Sequence, residues 1–156
     1  MINQNRGLTI IEMLVAIAIL VMAITITIIS LSKLNSSQAL EKSTSLVISI
    51  LDEARSLTFS SKGDSQYGVY FEDSQVTLFK GNTYYPSDPL NVLTVIDNRI
   101  GIRNISLVGG GSSVVFKRLT GSTNEAGTLE LFLKDSITTA RTINITATGV
   151  VNMNPQ

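Results

Sequence analysis

Three regimes of hydrophobic spacing follow one another along the chain. From Leu8 to Ser32 almost every position is apolar or small, and Glu12 is the only charge. As a helix this run would extend ~37 Å, enough for a bilayer core of about 30 Å. In residues 33–62, Leu40, Val47, Ile50, Leu51, Ala54 and Leu57 recur at helical spacing, while Glu41, Lys42, Asp52, Glu53 and Arg55 mark another face. No Gly or Pro falls between Leu8 and Lys62, so one helix of about 53 residues and ~80 Å is predicted. Its weakest point is SKLNSSQ, residues 32–38, where Ser and Asn lower helix propensity. The outer stripe is expected to lie against a sheet.

After SSKGDS the period changes to two. Tyr67, Val69 and Phe71 alternate, EDS turns the chain, and Val76 and Leu78 continue the pattern, which reads as a hairpin. Leu129, Leu131 and Leu133 alternate with Glu130, Phe132 and Lys134; Ile143, Ile145 and Ala147 alternate with Asn144 and Thr146. Strands are also predicted near 91–96, 99–107 and 113–119. Ile100 and Ile102 have one parity and Ile105 and Leu107 the other, so a bulge or bend is expected around Arg103 and Asn104. SDPLN, GGGSS and GSTNEAG are loops, GGGSS being read as a flexible hairpin loop. The fold class is α+β: a long N-terminal helix, membrane half plus amphipathic half, packed on a C-terminal antiparallel β-sheet head.

Composition narrows the chemistry. The 156 residues contain no Cys and no His, which removes thiolate nucleophiles, disulfides, the usual zinc sites and imidazole-based triads. Twelve basic and twelve acidic residues cancel. Without Arg6 and Glu12, residues 33–156 carry 11 of each, and the terminal VVNMNPQ is uncharged. Each phosphate contact needs a cation, so no appreciable nucleic-acid binding is expected. VGGGSS is not followed by an apolar helical stripe and is a poor phosphate cradle. NSS, NIS and NIT are the chance glycosylation patterns of a Ser-, Thr- and Asn-rich chain. Asp64, Glu72, Asp73, Asp88 and Asp97 lack calcium-loop spacing and read as solvated surface. Tyr84 and Tyr85 are read as packing over the sheet, with a contact patch as the alternative. No metal and no cofactor is expected.

The N-terminus admits three readings. A secretory signal peptide has an uninterrupted core of 7 to 15 apolar residues, roughly, and a small-residue cleavage site after it; this run is longer, and Glu12 breaks its start. A plain signal anchor leaves unexplained a carboxylate that costs about 2.5 to 3.5 kcal/mol in a spanning helix. Cleavage after Gly7 gives Glu12 a partner, because the new amine of Leu8 is a positive charge close to it in sequence. The glycine favours this reading, having no side chain to obstruct a peptidase and disfavouring helix at the bond. Arg6, alone before the apolar run, places the N-terminus in the cytoplasm and exports everything after Lys33.

Gly7, Leu8, Thr9, Ile10, Ile11 and Glu12, followed by MLVAIAIL, resemble the processing site of type IV prepilins and type II secretion pseudopilins, whose usual pattern is Gly, then Phe-Thr-Leu-Ile-Glu. The resemblance covers about the first 30 residues. It implies that a membrane-embedded prepilin peptidase cuts after Gly7 and N-methylates Leu8, and that Glu12 pairs with the amine of a neighbouring subunit, fixing its register. The sequence departs from the pattern at Leu8 and Ile10, both apolar replacements. EARSLTFSSKGDSQYGVYF, with Arg141, Ile143, Ile145, Gly149 and Val151, resembles more loosely the H-type pseudopilin and minor pilin group (GspH/FimT-like). The chain also lacks the helix-kinking Pro or Gly and the C-terminal disulfide loop common in major pilins.

The resemblance thus implies a pilin-like fold: leader 1–7, transmembrane and assembly helix 8–32, amphipathic continuation 33–62 and β-rich head 63–156. It implies a structural minor pilin or pseudopilin, not an enzyme, held in the inner membrane and then drawn into a type IV pilus or type II secretion pseudopilus. The expected partners are prepilin peptidase, other pilin or pseudopilin subunits through the N-terminal helix, an inner-membrane assembly platform and membrane lipid. A single-pass anchored β-domain that binds a ligand and does not polymerise is the alternative.

Overall fold

The computed structural model describes residues 9–154, and the side chains of all of these except residues 26–33 and 154. The first element, α1, runs Ile10–Phe59. It ends three residues before the sequence pattern suggests, because Ser61 turns left-handed at φ 51° and Lys62–Asp64 close a single 3-10 turn. Thr58 fastens this end: its Oγ1 accepts the N–H of Tyr67 at 2.9 Å and donates back to Ala54 O at 2.8 Å. The chain falls into two compact units, residues 1–37 and 38–156. The division lies within SKLNSSQ, where helix propensity is lowest.

The second unit holds the last part of α1 and eight strands. These are β1 Tyr67–Phe71, β2 Gln75–Lys80, β3 Val92–Val95, β4 Ile100–Leu107, β5 Ser113–Val115, β6 Gly127–Leu133, β7 Ser136–Ile145 and β8 Val151–Asn154. The strands form two four-stranded sheets, in the orders β3-β2-β1-β5 and β4-β6-β7-β8. Every pairing is antiparallel. GGGSS is not a hairpin loop, since it carries the chain from β4 in one sheet to β5 in the other. The strand predicted to 119 pairs only as far as Val115, with Phe116 making one further bridge to Thr123. Neither the first half of β7 nor β8 was marked by the alternation.

The bulge expected near Arg103 and Asn104 is present. The β4–β6 register shifts between Arg103 and Ser106, and Asn104 adopts φ 50°. Asparagine tolerates that left-handed geometry better than most residues. Opposite the bulge, a Cβ on Gly127 would lie 2.0 Å from Ser106 O, so only glycine lets the two strands approach there.

Leu40, Val47, Leu51 and Ala54 on α1 join Val69, Phe71, Val76, Leu78 and Val114 of the first sheet in one buried core. Ile100, Ile102, Leu129, Leu131, Ile143 and Ile145 of the second sheet complete it. Fully burying each large aliphatic side chain contributes about 1.5 to 3 kcal/mol. The first sheet is covered on its outer face as well: Phe79 is buried, and Tyr84 stacks on Tyr70 at 4.1 Å between centroids. Tyr84 therefore packs over the sheet as expected, while Tyr85 remains exposed.

Candidate functional site

Gly7 and Leu8, the two residues of the expected cleavage bond, lie outside the described residues. The residues after them are described. Thr9 precedes α1, its Oγ1 accepts the N–H of Glu12 at 3.3 Å, and its carbonyl accepts the N–H of Met13 at 3.2 Å. Thr9 is the N-cap of α1 and Glu12 its third residue. Threonine and glutamate at this spacing are the sequence signature of a capping box, which TIIE carries within the cleavage pattern itself. The cap begins the helix two residues after the expected cut. It also sets the Glu12 carboxylate in the first turn, where the helix dipole favours negative charge.

Glu12 is exposed, and among the described residues its carboxylate makes no ion pair. The large apolar side chains after it, from Met13 to Ile24, are more than half exposed. They include Leu14, Val15, Ile17, Ile19, Leu20, Val21 and Met22, so they occupy every face of the helix. A helix apolar all round is stable only when lipid or other helices cover it. Among the described residues no helix is long and apolar enough to cross a membrane. The described side chains of the apolar run stop at Thr25, and the rest of the predicted span, residues 26–32, lies beyond them.

In the head unit, two of the charges that mark the other face of the helix hold it to the head. Glu41 Oε1 accepts from Arg141 Nε at 3.0 Å. Arg55 donates from Nε to Gly121 O at 3.2 Å and from Nη2 to Thr148 O at 3.4 Å. Arg55 thus ties together two turns that meet at Gly149, whose φ is 79° and where a Cβ would stand 1.8 Å from Gly121 O. Arg141, Ile143, Ile145 and Gly149 so acquire structural roles: one ion pair, two core side chains and one close backbone approach.

The chemistry of the head's surface is modest. Asp97 is held at a pKa of about 2, below its ordinary 3.8. The main cause is the bidentate side-chain hydrogen bond from Arg99, 2.9 Å from Nε and 2.7 Å from Nη2, followed by the Arg99 backbone N–H at 3.0 Å. A shallow cavity of 390 Å³ is lined by Asp52, Arg55, Ser56 and Phe59, and another of 420 Å³ by residues of the 80–88 loop. Neither gathers an acid, a base and a nucleophile. Among the described residues no three carboxylates converge to hold a metal.

Residues 2–31 match the family model of the prokaryotic N-terminal methylation motif. No curated protein sequence matches the chain. The fold is similar to that of the type IV minor pilin FimU of Pseudomonas aeruginosa, with a TM-score of 0.60 at 12% identity over 76% of this chain and 90% of that one. It is also similar to the minor pseudopilin EpsH of the Vibrio cholerae type 2 secretion system, with TM-scores of 0.55 and 0.54 in two crystal structures. The identities there are 12% and 14%, covering 74% and 76% of this chain and 95% and 94% of the others. The chain thus carries the prokaryotic N-terminal methylation motif over residues 2–31, and its α+β fold is similar to that of a minor pilin and a minor pseudopilin.

Proposed function

We propose that the chain is a structural minor pilin or pseudopilin subunit, processed at its N-terminus and packed by its helix into a type IV pilus or type II secretion pseudopilus. The methylation motif over residues 2–31 carries this reading. Prepilin peptidase cuts between Gly7 and Leu8, releasing the leader 1–7, and methylates the Leu8 amine. The assembly helix 8–32 holds the precursor in the inner membrane with its N-terminus cytoplasmic, and the continuation 33–62 leads to the exported head 63–156. The assembly platform then draws the subunit out of the bilayer.

Glu12 and the Leu8 amine of a neighbouring subunit set the register. A carboxylate in an apolar bundle demands a cation, and the mature amine is the charge that processing supplies. Its helix-capped geometry complements this role, since Thr9 holds the first turn while the carboxylate stays exposed.

The mature N-terminus tests the reading. Intact mass and N-terminal sequencing should find Leu8 first and methylated in a host with active prepilin peptidase, and Met1 retained without it. Replacing Gly7 by Trp should leave the precursor uncut. Intact Met1 in the peptidase-active host would return the anchored, non-polymerising module to first place.

A further inference from the structure

The sheets of the head do not protect all their edges alike. On β4 the edge is broken by the bulge between Arg103 and Ser106, and Ile102 N–H is taken by Asp73 O at 2.8 Å. On β5 the outward N–H of Val115 is capped by Glu125 Oε2 at 3.3 Å. Bulges, charges and caps are how natural sheets prevent edge pairing. β3, the other edge of the first sheet, has none of these among the described residues. Val92, Leu93 and Val95 are 56%, 55% and 66% exposed, and residues 90–96 carry no charge and no proline.

The backbone parity of β3 follows from its partner. Ile96 N–H donates to Ser74 O at 3.1 Å, and the register sets Val95 against Gln75 and Thr94 against Val76. Even-numbered residues therefore turn their backbone groups toward β2, and odd-numbered ones turn them away. Leu93 and Val95 present two N–H and two C=O groups to the open side of the sheet.

We propose that this edge pairs antiparallel with β3 of a second copy of the chain. One register satisfies it: Leu93 opposite Val95 of the second copy, Val95 opposite its Leu93, and Thr94 opposite its own counterpart on the two-fold axis. This register forms four N–H···O=C bonds and joins two four-stranded sheets into one. It aligns Leu93 with Val95 of the second copy on the outer face, an apolar cross-strand pair on each side of the axis. A slip of one residue sets outward groups against inward ones and loses all four bonds. The charges agree with it. Asp97 falls opposite Asn91 of the second copy and Asp88 opposite its Ile100, so no like charges meet, and Asp97 is already paired with Arg99. An interface of identical patches is the ordinary form of a two-fold contact. Its four residues per copy lie well below the ~800 Å² per partner of a standing dimer. The pairing therefore operates where copies are crowded, and it does not depend on the filament reading.

The absence of cysteine makes the test direct. In this register the Thr94 Cα atoms are a non-hydrogen-bonded pair about 4.5 Å apart, within disulfide range. Full-length Thr94→Cys protein, reconstituted densely in phosphatidylcholine vesicles and oxidised with copper phenanthroline, should form disulfide dimers about tenfold faster than Ile137→Cys, a control on β7 that is more exposed than the half-buried Thr94. Adding Val95→Lys should abolish the difference. If Thr94→Cys does not fold, a mixture of Leu93→Cys and Val95→Cys chains provides the same readout as heterodimer, since those positions face each other. Equal rates for β3 and control thiols, or dimers unaffected by Val95→Lys, would overturn the proposal. In host membranes, preferential cross-linking of the Thr94→Cys thiol to a different protein would also overturn it.

Discussion

Two stretches of α1, Ile10–Thr25 and Gln38–Phe59, are both rich in aliphatic residues, and their apolar surfaces meet opposite fates. In the second, Leu40, Val47, Leu51 and Ala54 are essentially inaccessible, while Glu41, Asp52, Glu53 and Arg55 lie elsewhere around the helix. Its hydrophobic free energy is spent inside the chain, on a core shared with two sheets. In the first, the apolar side chains cover every face and remain exposed, with one carboxylate among them. Amphipathicity marks a helix that finds its partner in its own chain; uniform apolarity marks one that needs other molecules. The charges follow the same division. Glu41 has Arg141 100 residues away in the same chain, whereas the described structure gives Glu12 no cation.

The sharpest way to break this comparison is Glu12→Ala. Removing the carboxylate relieves a membrane cost of about 2.5 to 3.5 kcal/mol per chain, so insertion should hold or improve. Assembly should fail, because one half of a buried ion pair is left unpaired at a cost of roughly 3 to 5 kcal/mol. Immunoblots of membrane and filament fractions measure both effects. Equal filament incorporation with normal processing would show that Glu12 serves its own helix and no neighbour.

Leu51→Ala is the counterpart in the other stretch. It should destabilise the chain by about 2 to 5 kcal/mol in denaturant unfolding, the range for deleting a buried leucine side chain. Filament yield should then fall only through loss of folded subunit, with processing at Leu8 unchanged. The two substitutions separate assembly from folding.

Thr9→Ala probes the cap that starts the first stretch. Loss of the Thr9 to Glu12 hydrogen bond should cost about 1 kcal/mol of helix stability, read as increased amide exchange over residues 10–13. Thr9→Ser should restore it. Head stability should not change.

The smallest effect is electrostatic and confined to the head. Because the folded Asp97 pKa lies below its ordinary value, the Asp97–Arg99 pair contributes stability that is complete above about pH 4. That contribution is lost as the pH falls from 3.8 toward about 2. Asp97→Asn should flatten the acid limb of the stability profile in that window and leave neutral-pH behaviour nearly unchanged. Acid titrations of both proteins followed by circular dichroism provide the check.

Much of the fold was legible in local pattern. The hairpin of β1 and β2 follows from the parity of Tyr67, Val69 and Phe71 against Val76 and Leu78, and the β4 bulge from the parity change across Arg103 and Asn104. β8 was not legible, because its four residues, Val151–Asn154, are too few for alternation to stand out. The first half of β7 was hidden for a different reason: Ser136–Thr139 is exposed or half-exposed and mostly polar, and only its Ser136 pairs with β6 before the register shifts to Ala140. Of the candidate site, the sequence displayed the cleavage pattern, the carboxylate and the capping spacing together, and the last was obscured because one motif occupied the same residues as another.

By itself the sequence determined what depends on neighbours within a few positions: an apolar run with one carboxylate, a long helix with no Gly or Pro to break it, and the change from helical to strand period after residue 62. Only the tertiary structure decided that the strands divide into two sheets, that β3 is left as an open edge, and that Glu41 and Arg55 bind the head. The last of these rests on contacts 66 and 100 residues apart in the chain, Arg55 with Gly121 and Glu41 with Arg141. Local periodicity reports which face of an element is apolar, but the partner of that face is chosen by packing of the whole chain, where long-range contacts compete for the same buried surface.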